Sequence, residues 1–181
     1  VKRSHLVREI VETLVLTTLI FFALRFVIQS YHVSGISMQP GLVDGQYIMV
    51  NKTAYLLHGP ERGDVIVFHN PQKPGDDLIK RIIGLPGDII RTDSSRIWVN
   101  NVLLNETYVS SPSNPETSTW TVPQGQYFVL GDNRPISEDS RYIGSIPTDY
   151  IVGKAIIVFW PINQIRSIDT FTSTYLHIKH P

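Results

Sequence analysis

The chain has 181 residues, with 16 basic side chains balanced by 16 acidic ones and no cysteine. That balance leaves no basic field for a nucleic acid, and the lack of thiols excludes disulfides, thiolate chemistry and cysteine-based zinc sites. With a hydrophobic N-terminal segment set aside, about 150 residues remain, enough for one domain with a core of its own.

Residues 1–9 carry Lys2, Arg3 and Arg8 against Glu9, and 10–28 is mostly apolar. A helix over 10–28 spans roughly 28 Å, close to the ~30 Å of a hydrocarbon core. Glu12 and Arg25 fall towards its ends, where long side chains reach the interface. A cleaved signal peptide and a buried core helix are the alternatives; no small-x-small site follows directly, and we read 10–28 as a membrane anchor. The basic flank puts 1–9 in the cytoplasm and the rest of the chain on the trans side. Residues 29–33 then join the anchor to a turn, 34–41, in which Gly35, Pro40 and Gly41 bracket Ser37. Such a turn presents either an ordinary loop serine or a nucleophile, and the short join places it beside the bilayer. Phe26, Tyr31 and Met38 are candidates for resting on lipid.

Beyond Gly41 the pattern is of short strands separated by turns: 46–51, 65–68, 78–83, 89–91, 97–100, 127–130 and 151–160. Asn100-Asn101 reads as a hairpin turn. Composition turns polar over about 104–126, read as a small region inserted into the main sheet system. Gly131 to Gly144 is a long polar turn, and 161–181 is a tail of weak periodicity. Many strands and few helical patterns imply an all-β domain over 29–160. His177 and His180 stand at helical spacing near a polar end, and no metal site is expected there.

Two features carry chemistry. Lys80 stands in an apolar strand, on the face of Leu78 and Ile82. As an edge lysine it would discourage aggregation. Held in apolar surroundings it would instead lose affinity for its proton, and a fall from about 10.4 to about 8 takes roughly 3 kcal/mol. A neutral amine of that kind can take the proton of a serine hydroxyl, as Ser-Lys dyads do. The second feature is Gly131-Asp132-Asn133-Arg134-Pro135-Ile136-Ser137-Glu138-Asp139-Ser140-Arg141. It admits a salt-bridged structural turn, a calcium loop without the usual alternation of acids and central glycine, or a polar support for Lys80 through Ser137 and Asp139.

Gly35-Ile36-Ser37-Met38-Gln39-Pro40 after an anchor, Arg62-Gly63-Asp64-Val65-Ile66-Val67-Phe68, Lys80-Arg81-Ile82-Ile83-Gly84-Leu85-Pro86-Gly87-Asp88 and the 131–141 segment follow in this order. Together they resemble the type I signal (leader) peptidases over about residues 10–160. The resemblance implies a mainly antiparallel β catalytic domain with a small inserted β region, akin in its core to the self-cleaving repressor proteases. It implies a serine endopeptidase that removes signal peptides from exported preproteins after a small-x-small motif, at a bacterial plasma membrane or a thylakoid membrane. Its partners would be those peptides and the lipid bilayer, with no nucleic acid, metal or cofactor. By the same resemblance Ser37 is the nucleophile and Lys80 the general base. Ser137 orients the Lys80 amine, and Asp139 and Arg141, with Arg81 or Arg134, hold the loop by ion pairing. The Ser37 N–H donates to the oxyanion. Gly35, Ile36, Ser37 and Met38 on one side, and Ile79 and Ile82 on the other, wall the substrate groove. The chain departs from the family at Gly35, where some relatives carry a hydroxyl donor, and at Gly41 and Ile136. An anchored regulatory protease and a non-cutting binding domain are the competing readings.

Overall fold

The computed structural model describes residues 2–111 and 117–179. Helix α1 (Lys2–Val27) leads without a linker into strand β1 (Ile28–His32). The helix starts earlier than the apolar run because residues 2–9 contain no glycine or proline to break it, and Arg8 pairs with Glu12 one turn on. Within it, His5–Val27 is long and apolar enough to cross a membrane, and none of that stretch is buried inside the protein. At its C-terminal end the Val27 carbonyl, which has no helical partner, accepts from Lys52 N at 2.8 Å.

The join expected at 29–33 is therefore mostly strand. β1 pairs antiparallel with β2 (Tyr47–Asn51), Ile28 opposite Asn51 and His32 opposite Tyr47. The main sheet continues through β3 (Val65–His69), β4 (Asp77–Gly84), β9 (Gln126–Leu130), β10 (Ile146–Pro147), β11 (Ile151–Trp160) and β12 (Arg166–Ser167). Its order is β1-β2-β11-β3-β4-β9-β10, with β12 also on β11. A second sheet holds β5 (Ile89–Asp93), β6 (Arg96–Val99), β7 (Val102–Leu103) and β8 (Ser118–Thr121), in the order β7-β6-β5-β8. All the pairings are antiparallel. Between β6 and β7, Asn100 and Asn101 take φ of 50° and 68°, the left-handed pair that a two-residue hairpin needs.

The side-chain period of two explains the layering. On β3, Val65 and Val67 join a cluster with Met38, Leu42, Ile48 and Val158, while Ile66 and Phe68 face a second with Ile82, Tyr127 and Val129. A strand apolar on both faces is the expected central one, and β3 lies inside the sheet. A third cluster, including Ile83, Ile90, Ile97, Val99 and Phe128, joins the two sheets.

Two sequence expectations are corrected. The inserted region is a sheet that begins at Ile89, because β5 pairs with β6 and β8, and β6 with β7, rather than with the main sheet; 104–126 covers only its later part, and 112–116 lie outside the described residues. Nor is 161–179 only a tail of weak periodicity. It adds β12 to β11, and buries Tyr175 and Ile178 in the third cluster. Its weak periodicity reflects single anchor residues rather than a regular apolar face. His180 lies outside the described residues.

Candidate active site

Ser37 lies in the tight turn that follows β1. Gly35 takes φ of 97°, a conformation that other residues adopt at a cost, and its N–H donates to Asp44 Oδ1 at 2.6 Å. Met38 N-terminal to the turn's exit is 1% exposed and roots the turn in the core, so it has no surface to offer lipid. On the other side, Asn133 N donates to the Ser37 carbonyl at 2.9 Å and Asn133 Nδ2 to the Ile36 carbonyl at 3.1 Å. The 131–141 loop thus holds the backbone of the serine turn directly.

Lys80 sits on β4 opposite Ile66 of β3 and is 3% exposed. Its Nζ lies 2.8 Å from Ser37 Oγ and donates to the Ile79 carbonyl at 3.0 Å. Burial lowers the Lys80 pKa to about 8, against the opposing pull of Asp139, Glu138 and Asp132. At pH 7 about one lysine in ten is then neutral, where an ordinary lysine would offer roughly three in ten thousand. The pair is an amine with an available lone pair within hydrogen-bond reach of a hydroxyl, the arrangement that activates a serine.

The supporting residues divide. Asp139 caps the short helix α2 (Ser140–Ile143), accepts from Gly131 N at 3.0 Å and pairs with Arg141 at 2.7 Å. Arg141 Nη2 also donates to the Arg134 carbonyl at 2.7 Å. Arg81, one residue past the lysine and on the opposite face of β4, grips Asp132 with two hydrogen bonds of 2.9 and 2.8 Å. Its guanidinium lies beside the stacked rings of Tyr108 and Phe171, 4.6 and 5.1 Å from their centroids. Arg134 turns away to Glu106, at 2.6 Å, and donates to the Gly131 carbonyl. Ser137 differs from expectation. Its hydroxyl is buried and has no hydrogen-bond partner among the described residues. Lys80 Nζ is instead engaged by Ser37 and Ile79, while Ser137 packs over Gly131, where the absence of a Cβ lets its side chain and the Ser37 carbonyl come close.

Beside Ser37 and Lys80 lies a cavity of about 100 Å³, lined by Tyr31, His32, Val33, Ser34, Ser37, Ile48, Val67, Asp77, Leu78, Ile79 and Lys80. Ile79 is among these lining residues. Gly35, Ile36, Met38 and Ile82 do not line the cavity; Met38 and Ile82 belong to core clusters. Their place is filled by β1 and β2 residues that no short motif singles out. Burial and the Asp77 carboxylate, which accepts from its hydroxyl, push Tyr31 up to about 12, and Asp77 also contacts His69 Nδ1 at 2.7 Å. The cavity lies between two strand edges. β1 ends the sheet, and β9 pairs with β4 only from Arg81 onward, leaving the other edge of 77–80 without a strand among the described residues. Unpaired edges of this kind accept an extended peptide as an added strand.

A family profile for signal peptidase, peptidase S26, matches residues 6–160. The chain is 37% identical over 164 residues to "Probable signal peptidase I-2" of Synechocystis, an overlap of 87% of this chain and 75% of that protein. It is 33% identical over an alignment of 184 residues to signal peptidase IB of Staphylococcus aureus strain Mu50, covering 91% of this chain and 94% of that one. A crystal structure of a signal peptidase I from Enterococcus faecalis V583, 35% identical, overlaps 52% of this chain and 95% of its own at a TM-score of 0.48.

Proposed function

Because the chain belongs to the signal peptidase family, peptidase S26, and is an enzyme of the signal peptidase I kind, we propose that it works as a membrane-anchored endopeptidase with Ser37 as nucleophile and Lys80 as general base. The observation that carries this reading is the 2.8 Å approach of Lys80 Nζ to Ser37 Oγ, with Nζ buried and its pKa lowered to about 8.

In this reading the signal peptide lies extended between β1 and the free edge of β4, and small side chains before the scissile bond enter the cavity of about 100 Å³. That volume suits alanine-sized groups and excludes large ones. Neutral Nζ takes the Ser37 proton as Oγ attacks the carbonyl carbon. The oxyanion faces the Ser37 N–H, a donor of the type worth about 3 kcal/mol in such sites. The Gly35 N–H is occupied by Asp44, so it is not the second donor in this arrangement. Protonated Nζ then gives its proton to the leaving amine, and water attacks the ester with Nζ as base again.

The anchor brings the substrate to the site. A signal peptide arrives with its apolar part in the bilayer, and β1 ties Ser37 to the end of α1 by only a few residues. The basic flank supports an N-terminus in the cytoplasm and a catalytic domain on the trans side of a bacterial plasma membrane or a thylakoid. Leu56 and Leu57, 73% and 98% exposed, follow Lys52, whose N–H binds the last turn of α1, and so lie on the side where the helix would leave the bilayer. They replace Met38 as candidates for lipid contact.

The test is cleavage of a preprotein with a small-x-small site by the full chain in mild detergent, with sequencing of the new N-terminus. Wild type should cut at that site, and Ser37→Ala and Lys80→Met should not. Cutting that survives Lys80→Met would assign the base elsewhere.

A further inference from the structure

We propose that Arg166, far outside the sequence motifs, is a positioning residue for the Ser37 turn. The proposal rests on the reading of Ser37 as nucleophile. The turn is held on one side by Asn133 and in the core by Met38. Its exit, Gly41 and Leu42, borders a cavity of about 590 Å³, whose other walls are Val65, Arg81, Asp132 and residues 166–171. Packing cannot fix a backbone segment on a side where there are no atoms to pack against.

The C-terminal segment bridges that gap with polar contacts. Arg166 Nη2 donates to the Gly41 carbonyl at 2.6 Å and lies 3.4 Å from Gln46 Oε1. Gln46, 3% exposed, accepts from Val43 N at 3.0 Å and donates to Gln164 Oε1 at 2.5 Å. The Arg166 Nη1 group donates to the Gln164 carbonyl at 3.2 Å, which fixes the guanidinium itself. Pairing of Arg166 with Val158 across β12 and β11 gives the arginine a rigid base. Leu42 N in turn donates to the Met38 carbonyl at 2.9 Å, so a shift at Gly41 passes along one turn of backbone to the residue after the nucleophile.

Loss of the bridge lets the turn relax towards the cavity and lengthens the Oγ–Nζ approach. The chemical step suffers while the substrate groove, to which the turn gives only Ser34 and Ser37, keeps its affinity. Water admitted beside Nζ also returns the lysine towards its ordinary proton affinity.

The experiment compares wild type, Arg166→Met, Arg166→Gln, Arg166→Lys and Ser37→Ala as full chains in the same detergent, on one fluorogenic peptide with a small-x-small site. Arg166→Met should lower kcat roughly 10- to 100-fold with KM within about two-fold, since small misplacements of reacting groups cost on that scale. The acid limb of its pH profile should move up from about 8, and Arg166→Lys should restore most of the rate. An unchanged kcat and limb in Arg166→Met overturns the proposal. So does a loss of activity that follows loss of the near-ultraviolet circular dichroism signal, in Arg166→Met and in the milder Arg166→Gln alike. Activity in Ser37→Ala overturns the underlying reading instead, whatever Arg166 does.

Discussion

Replacing Lys80 by methionine should destroy activity and raise stability. The lysine is 3% exposed, and burial takes its pKa from 10.5 to about 8. A fall of that size corresponds to about 3 kcal/mol of penalty on the charged form. Below pH 8 both the folded and the unfolded chain hold the proton, so the whole penalty acts at pH 7. Between about 8 and 10.5 the unfolded state binds more protons than the folded one, and wild-type stability rises with pH; above 10.5 the penalty is gone. Methionine carries no such charge. It forfeits the contacts of Nζ with Ser37 and Ile79, worth about 1 kcal/mol net, which leaves the variant about 2 kcal/mol more stable at pH 7. Urea unfolding in mild detergent, followed by tryptophan fluorescence at pH 7, 8, 9 and 10, measures the difference, with other titrating groups common to both proteins. The gap should close and change sign as pH rises through 8 towards 10.5. A difference that stays flat over this range would refute the buried-lysine argument, even if the variant is inactive.

With Lys80 as the proposed base, kcat/KM of wild type should rise about ten-fold per unit below pH 8 and level off above it, and a limb near 10 would mean Nζ is solvated in the working enzyme. Gly131→Ala would put a Cβ 2.5 Å from the Ser37 carbonyl oxygen and closer still to Ser137; activity should fall on the order of 100-fold and stability by about 1–3 kcal/mol, and wild-type kinetics would contradict the close approach. Asp88, fully buried, is gripped by Arg62 at 2.7 Å and also accepts from Leu85 N and Asn100 Nδ2, so Arg62→Ala should cost about 3–5 kcal/mol in denaturant unfolding. Leu56→Ser with Leu57→Ser should slow cleavage of a preprotein in vesicles roughly ten-fold and leave a soluble peptide in detergent unaffected; equal loss on both substrates would place the leucines elsewhere than in lipid.

What local chemistry dictates was legible without coordinates. The apolar run, the Asn100-Asn101 turn, the doubly buried strand at 65–68 and the glycine-framed serine all follow from the preferences of neighbouring residues. The place of a lysine among isoleucines admitted two readings, an edge lysine and an unusual amine, and burial decides between them. Pairing across long separations was not legible. Ile28–His32 mixes polar and apolar residues, and it is a strand because β2 pairs with it. The arginines near the site have interchangeable side chains, and only the tertiary structure assigns Arg81 to Asp132, Arg134 to Glu106 and Arg141 to Asp139. The packed C-terminal segment and its Arg166 bridge carry no periodic signal, because single side chains make their contacts.

The sequence by itself determined which groups the chain possesses and the local shapes they favour. Tertiary structure decided which of them meet: Ser37 and Lys80, 43 positions apart, come within 2.8 Å because β4 sits inside the sheet and the 131–141 loop closes over the turn after β1. Proton affinity was decided at the same level, since desolvation is a property of everything packed around an amine and of no residue alone.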